Sequence, residues 1–174
     1  LNWFFGEAIN VSGKLATSIK KRPLPNSSDL NDVTSEDVCL ANIEISNYSS
    51  NLIPCQVSLS SISKNGRGFS LEIYGSEGSL ILKSENQKDY VHGFNLKYSN
   101  NENKMQNLTA DSSFNFEKTW TDGRIAPVLR IQNLWAQSII DRTPVIPGLC
   151  EGLASHKVCE AIRESSKSGL SIKI

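Results

Sequence analysis

Two imidazoles, His92 and His156, are the only histidines in the chain, far apart and forming no H-x-x-x-H pair. Because a bound transition metal needs three or four donors converging on one point, no metal site is expected. The thiols Cys39, Cys55, Cys150 and Cys159 contain no C-x-x-C pair. On an expected helix the last two point to opposite faces. Cys39 and Cys55 fall on strands that could be neighbours, which leaves a disulfide open there, but small buried hydrophobes are the favoured reading. No G-x-S-x-G elbow is present, and Gly66-Arg67-Gly68 lacks the third glycine and the following helix that a dinucleotide loop requires, so it reads as a turn. What remains is Trp120, Arg124 and His156. A polar or aromatic side chain beside a strand-to-helix junction often faces a cleft, which makes these three the candidate substrate contacts. The competing reading is a core tryptophan, a surface arginine and a helix-packing histidine. No residue is assigned a catalytic, cofactor-binding or metal-binding role.

The elements that must position them are written in two periods. Phe69, Leu71 and Ile73 alternate with Ser70, Glu72 and Tyr74, a second alternating run covers Ser79 to Lys83, and Gly75-Ser76-Glu77-Gly78 lies between them. This is a hairpin whose glycines are expected to supply positive φ angles at the reversal. Upstream, LNWFFGE reads as the last turns of an apolar helix closed by Gly6, and the chain is expected to start inside a larger protein. Ile9, Val11, Gly13 and Leu15 share one face of a first strand. From Ser18 to Ser35 the chain is polar and carries Pro23 and Pro25, which predicts a long mobile loop. Asp37 to Ser46 and Ile53 to Ile62 resume alternation and should pair with each other. Weaker alternation at Val91 to Tyr98 and Asn107 to Phe116 suggests one or two more strands.

After Asp122-Gly123 the period changes. Ile125, Val128, Leu129, Ile131, Trp135, Ala136, Ile139 and Ile140 cover half of a helical wheel, with Pro127 tolerated in the first turn, so an amphipathic helix is expected to lie on the sheet. Gln132 falls inside that apolar arc and should be hydrogen-bonded or close to a domain boundary. A second helix runs from about Leu149 and ends at Gly169, and Leu170, Ile172 and Ile174 alternate as a final strand. Strands first and helices afterwards predict an α+β fold, an open, mainly antiparallel sheet with helices packed on one face. The other face would carry Ser58, Ser60, Ser70, Glu72, Tyr74, Ser79 and Ile81. A flat, weakly charged sheet face of this kind can pack on a copy of itself about a two-fold axis.

The totals narrow the function classes. With 174 residues the chain has the size of a single domain. Eighteen basic residues balance eighteen acidic ones, so nothing draws the protein to nucleic acid or to an anionic membrane. No apolar run approaches the roughly 20 residues that span a bilayer, and no basic n-region precedes a hydrophobic stretch. A cytoplasmic protein is the default expectation.

Several pieces in order, LNWFFGE, EDVCLANIEISN, EIYGSEGSLIL, WAQSIIDRTPVIPGLCEGLASHKVCEAIRESSKSG and a last alternating strand, resemble the C-terminal domain of the glucose-fructose oxidoreductase and inositol dehydrogenase family. The resemblance covers nearly the whole chain and is most specific in the closing segment. It implies a parent enzyme that uses NAD or NADP, with the glycine-rich βα turn and the acid/base residues on a separate dinucleotide-binding domain that would precede Leu1. Residues 1–174 would then be a single C-terminal domain, which supplies substrate contacts and a homo-oligomer interface on the helix-free sheet face. The implied substrate is a sugar or related polyol, and the fragment alone is expected to be inactive. The alternative from another class is a non-catalytic scaffold or binding module of the same fold.

Overall fold

The computed structural model describes residues 1–47, 49, 51–66, 68–85 and 93–174. In chain order the elements are α1 (Asn2–Phe5), β1 (Glu7–Ala16), β2 (Lys21–Pro23), β3 (Leu30–Asp32), β4 (Val38–Ser46), β5 (Leu52–Ser60), β6 (Phe69–Gly75), β7 (Gly78–Ser84), β8 (Asn95–Asn100), β9 (Gln106–Leu108), a 3-10 turn (Ser112–Phe114), α2 (Ile125–Asp141), α3 (Leu149–Ser168) and β10 (Ile172–Lys173). They form two compact units, Leu1–Lys64 with Ile146–Ile174, and Asn65–Val145. Among the described residues every strand pairing is antiparallel, and the class is α+β with open sheets. No helix among them is long and apolar enough to cross a membrane.

In the first unit the strand order is β10-β1-β4-β5. Register places Val11 beside Ile43 and Ile43 beside Cys55, while Gly13, Ala41 and Val57 make the next row. These rows and the α3 residues Val158, Ala161 and Ile162 build the core, with Ile45 fully enclosed at its centre. α3 approaches β1 so closely that a Cβ at Gly13 would stand 2.9 Å from Ile162 Cγ2. Cys55 pairs with Ile43 and Cys39 with Leu59, four rows apart, so the two thiols are free and burial pushes both upward. Gly169 closes α3 in the left-handed conformation, as the sequence predicts.

A second link between α3 and β1 is invisible in the local pattern. β10 pairs with β1 only at Asn10 and Val11, so the next N–H groups on that edge have no strand to bond. Serine hydroxyls take the strand's place: Gly13 N–H donates to Ser165 Oγ and Leu15 N–H to Ser166 Oγ, both at 2.9 Å. Ser165 Oγ in turn donates to the Leu170 carbonyl at 2.6 Å, from a side chain only 2% exposed. Ser165→Ala should therefore strand a donor and an acceptor at once and lower the unfolding free energy by about 1–3 kcal/mol. Chemical denaturation would detect it as a lower midpoint with unchanged slope.

The segment expected to be a long loop is partly ordered. β2 and β3 pair with each other from Lys21–Asp32 to Pro23–Leu30, and the reversal places Asn26 at a φ of 62°. Pro23 is tolerated because it ends its strand on an edge, where no ladder donor is required.

The second unit holds the sheet β6-β7-β8-β9. The β6–β7 hairpin forms where the alternation placed it, closed by Gly75 opposite Gly78. Its glycines work differently from the expectation, since neither has a φ in the left-handed region. At Gly78 the requirement is space: a Cβ there would lie 2.1 Å from the Ser99 carbonyl oxygen of β8. Val91 and His92 lie outside the described residues, and the strand expected at Asn107 to Phe116 shrinks to Gln106–Leu108. The remainder coils into the 3-10 turn capped by Asp111, whose Oδ1 accepts from Ser113 N–H at 2.8 Å.

α2 forms over the expected residues, but its apolar stripe is not covered in the way the sequence suggests. Ala126 alone is buried, while Val128, Trp135, Ile139 and Ile140 are exposed, Ile139 at 78%. Gln132 is exposed too, so solvent satisfies the amide that the wheel placed among apolar neighbours. The helix is tied instead through Arg130, which donates to the Phe114 and Asn115 carbonyls at 3.2 and 2.8 Å and stacks 4.0 Å from the Phe116 ring centroid.

Candidate functional site

Trp120 and Arg124 share one segment at the N-terminal approach to α2. Trp120 is half-buried, and the Lys118 ammonium sits over its ring, 5.0 Å from the centroid. Arg124 folds back on Asp122, donating from Nε to Oδ1 at 2.8 Å, from Nη2 to Oδ2 at 2.6 Å, and from its backbone N–H to Oδ1 at 3.0 Å. This fork is the bidentate geometry that guanidinium and carboxylate favour. A D-x-R spacing signals it, although the sequence reading singled out the arginine alone.

The Arg124 hydrogen bonds hold the Asp122 carboxyl down at about 2, against an ordinary 3.8. A depressed carboxylate contributes its stabilisation above the unfolded value and loses it as pH falls through the folded one. The clasp should persist through mildly acidic solution and open only near pH 2. A titration of the Asp122 carboxyl carbon by NMR should show that midpoint. With both side chains substantially exposed, the clasp orients Arg124 more than it stabilises the fold.

His156 belongs to the first unit. It is exposed on α3, with Nε2 3.8 Å from Glu160 Oε1, and Glu160 is also engaged by Arg163. Trp120 and Arg124 are thus neighbours in one segment, whereas His156 stands in a different local setting, an outward-facing row of charges.

The face of the β6–β7 hairpin that bears Ser70, Glu72 and Tyr74 carries a compact polar network. Glu72 accepts from Tyr74 Oη at 2.7 Å and from Ser70 Oγ at 3.1 Å, and Lys83 Nζ lies 3.3 Å away. Those donors, Tyr74 first, hold the Glu72 carboxyl below its ordinary range, and the same bond raises the Tyr74 phenol. Alternation named all three residues of β6 for this face. It did not show that Glu72 would be their hub, because i,i+2 neighbours on a strand share a face but need not share a rotamer.

No group of three metal-ligating side chains occurs among the described residues. The glycines Gly66 and Gly68 do not fit a dinucleotide. They lead into the strand β6 rather than into a helix, whose N-terminus a dinucleotide loop requires, and Gly68 is needed because a Cβ there would lie 2.1 Å from the Ser84 carbonyl oxygen. No chemical step is assigned to a nicotinamide on these residues.

Known proteins share this sequence and fold. An uncharacterised oxidoreductase of Synechocystis sp. is 38% identical over 166 residues, which is 95% of this chain and 44% of that protein. The crystal structure of levoglucosan dehydrogenase in complex with NADH and L-sorbose superposes with a TM-score of 0.72 at 16% identity, over 99% of this chain and 47% of that one. An NAD-binding oxidoreductase from Klebsiella pneumoniae gives 0.70 at 18% identity, again over 99% and 47%. At such identities the structural likeness speaks to the fold, and the chain spans less than half the length of these relatives. Residues 1–174 match throughout the profile described as the oxidoreductase family, C-terminal alpha/beta domain. The chain therefore belongs to the glucose-fructose oxidoreductase and inositol dehydrogenase family of oxidoreductases, and corresponds to its C-terminal domain.

Proposed function

We propose that these residues are the substrate-side and oligomerisation domain of an NAD- or NADP-dependent cytoplasmic dehydrogenase acting on a CH–OH group of a sugar or polyol. The observation that carries this reading is the match of the whole chain to the family's C-terminal domain. A relative of the same fold holding NADH and L-sorbose supports the substrate class. On this reading the nicotinamide is bound outside residues 1–174, and this domain contributes polar contacts to the sugar from Trp120 and Arg124, with His156 as the third candidate. The Asp122 clasp presets the guanidinium, so less side-chain freedom is lost when a hydroxyl-rich ligand docks.

Self-association belongs to the same proposal. One face of the β6–β7 hairpin bears Ser70, Glu72, Tyr74, Ser79 and Ile81, with Tyr74 70% exposed, whereas Ser58 and Ser60, expected on the same face, lie on β5 in the separate sheet of the first unit. Tyrosine is among the residues that dominate binding energy when an interface covers them.

The test is nicotinamide reduction by the full-length protein across a panel of sugars and polyols, with residues 1–174 assayed beside it. Turnover is expected from the full-length protein alone, and Arg124→Ala should raise KM more than it lowers kcat. Nicotinamide binding to residues 1–174 in a titration would count against the reading, as would a full-length protein inert toward every polyol. That second outcome would favour a scaffold of the same fold.

A further inference from the structure

The ribbon formed by β2 and β3 has almost nothing to hold it by burial. Residues 18–36 are exposed apart from half-buried Ser27 and Val33, and the two strands pair only with each other among the described residues. A lone two-stranded hairpin is marginal in water, so its placement must come from its root. There, Val33 N–H donates to the Lys20 carbonyl at 2.8 Å and Thr17 Oγ1 to the Ser35 carbonyl at 3.2 Å. The buried contribution is Asp37, 6% exposed, whose Oδ1 accepts from Ser18 N–H at 2.7 Å and Oδ2 from Ile19 N–H at 2.8 Å.

Asp37 is divided between two bodies. Its backbone belongs to the first sheet, donating to the Ala16 carbonyl at 2.9 Å and accepting from Ser61 N–H at 3.0 Å. Its side chain belongs to the ribbon. Two successive backbone N–H groups converge on two carboxylate oxygens, an arrangement of charge-assisted bonds that no neutral side chain reproduces. An asparagine there would keep one acceptor and turn an NH2 toward the other N–H.

We propose that residues 18–35 are a strap that opens and closes on the first sheet as one cooperative unit, with the Asp37 carboxylate as its latch. When the latch is released, the strap regains the backbone freedom of its whole length against only a few exposed hydrogen bonds, while the sheet loses no core contact. Opening bares Asp37, which is 6% exposed when the strap is closed.

Hydrogen–deuterium exchange on the intact protein tests this with two variants, Asp37→Asn on the sheet side and Ser18→Pro, which deletes one donor on the strap side. In both, amides of residues 18–33 should exchange about tenfold faster or more, while those of 38–60 keep their wild-type rates. Trypsin should cut after Lys20 and Lys21 with the same acceleration, the Arg22–Pro23 bond being resistant. Unchanged exchange in 18–33 would overturn the latch. Equal acceleration of 38–60 in both variants would overturn it as well, by making the ribbon part of the sheet's own unfolding unit.

Discussion

Ile45→Ala is expected to lower the unfolding free energy by about 2–5 kcal/mol, the largest stability loss of any single truncation in the first unit. Ile45 is fully enclosed and sits in a small core, with Ala8, Val11, Ala41, Ile43, Ala161 and Ile162 as its fellow members. Three of these are alanines, and Ile162 is held by the close contact of α3 with Gly13, so the surroundings have little side chain with which to collapse into the void. For a chain of this size the loss corresponds to a fall in Tm of roughly 4–20 °C. Calorimetry checks it, and Ile43→Val at a neighbouring position should cost only about 0.5–1.5 kcal/mol. A loss at Ile45 no larger than at Ile43 would mean that the core packs differently from the register described here.

Tyr74→Asp should have the largest effect on assembly. The substitution removes the exposed ring from the Ser70–Glu72–Tyr74 face of the hairpin and sets a second carboxylate beside Glu72, which has just lost the Tyr74 hydroxyl as a donor. If that face is the interface, truncating an aromatic anchor costs at least about 2 kcal/mol, so the association constant should fall by about 30-fold or more. Light scattering or sedimentation over a range of concentrations reads this directly. Leu149→Asp, on an 88% exposed side chain of α3, should leave the mass unchanged. A wild type that stays monomeric at every concentration would sink the interface, and so would a Tyr74→Asp protein of undiminished mass.

The two predictions draw on different parts of the sequence's information. The core row around Ile45 follows from alternation alone: Cys39, Ala41, Ile43 and Ile45 fall on one side of β4 because strand side chains repeat every two residues. The polar face of β6 follows from the same rule. For the candidate site the sequence pointed to the approach to α2 and stopped at Arg124, because periodicity names exposed residues without saying which partner captures them. The Asp122 fork and the Lys118 cation over Trp120 are matters of rotamer choice.

By itself, the sequence determined the longer strands and the helices α2 and α3, though not β2 and β3, together with the α+β class, the end of α3 at Gly169 and the family. Each of these depends on spacing within a few residues or on the order of segments. Only the tertiary structure decided that Ser165 and Ser166 substitute for a missing strand beside Gly13 and Leu15, partners some 150 positions away. The same holds for the Asp37 grip on the ribbon, for Gly78 being required by the Ser99 carbonyl rather than by its own torsion, and for the exposed stripe of α2. The first three share one physical reason. A backbone donor left over at a strand end, or a space too small for a Cβ, exists only after distant segments have been brought together, and no local period records it.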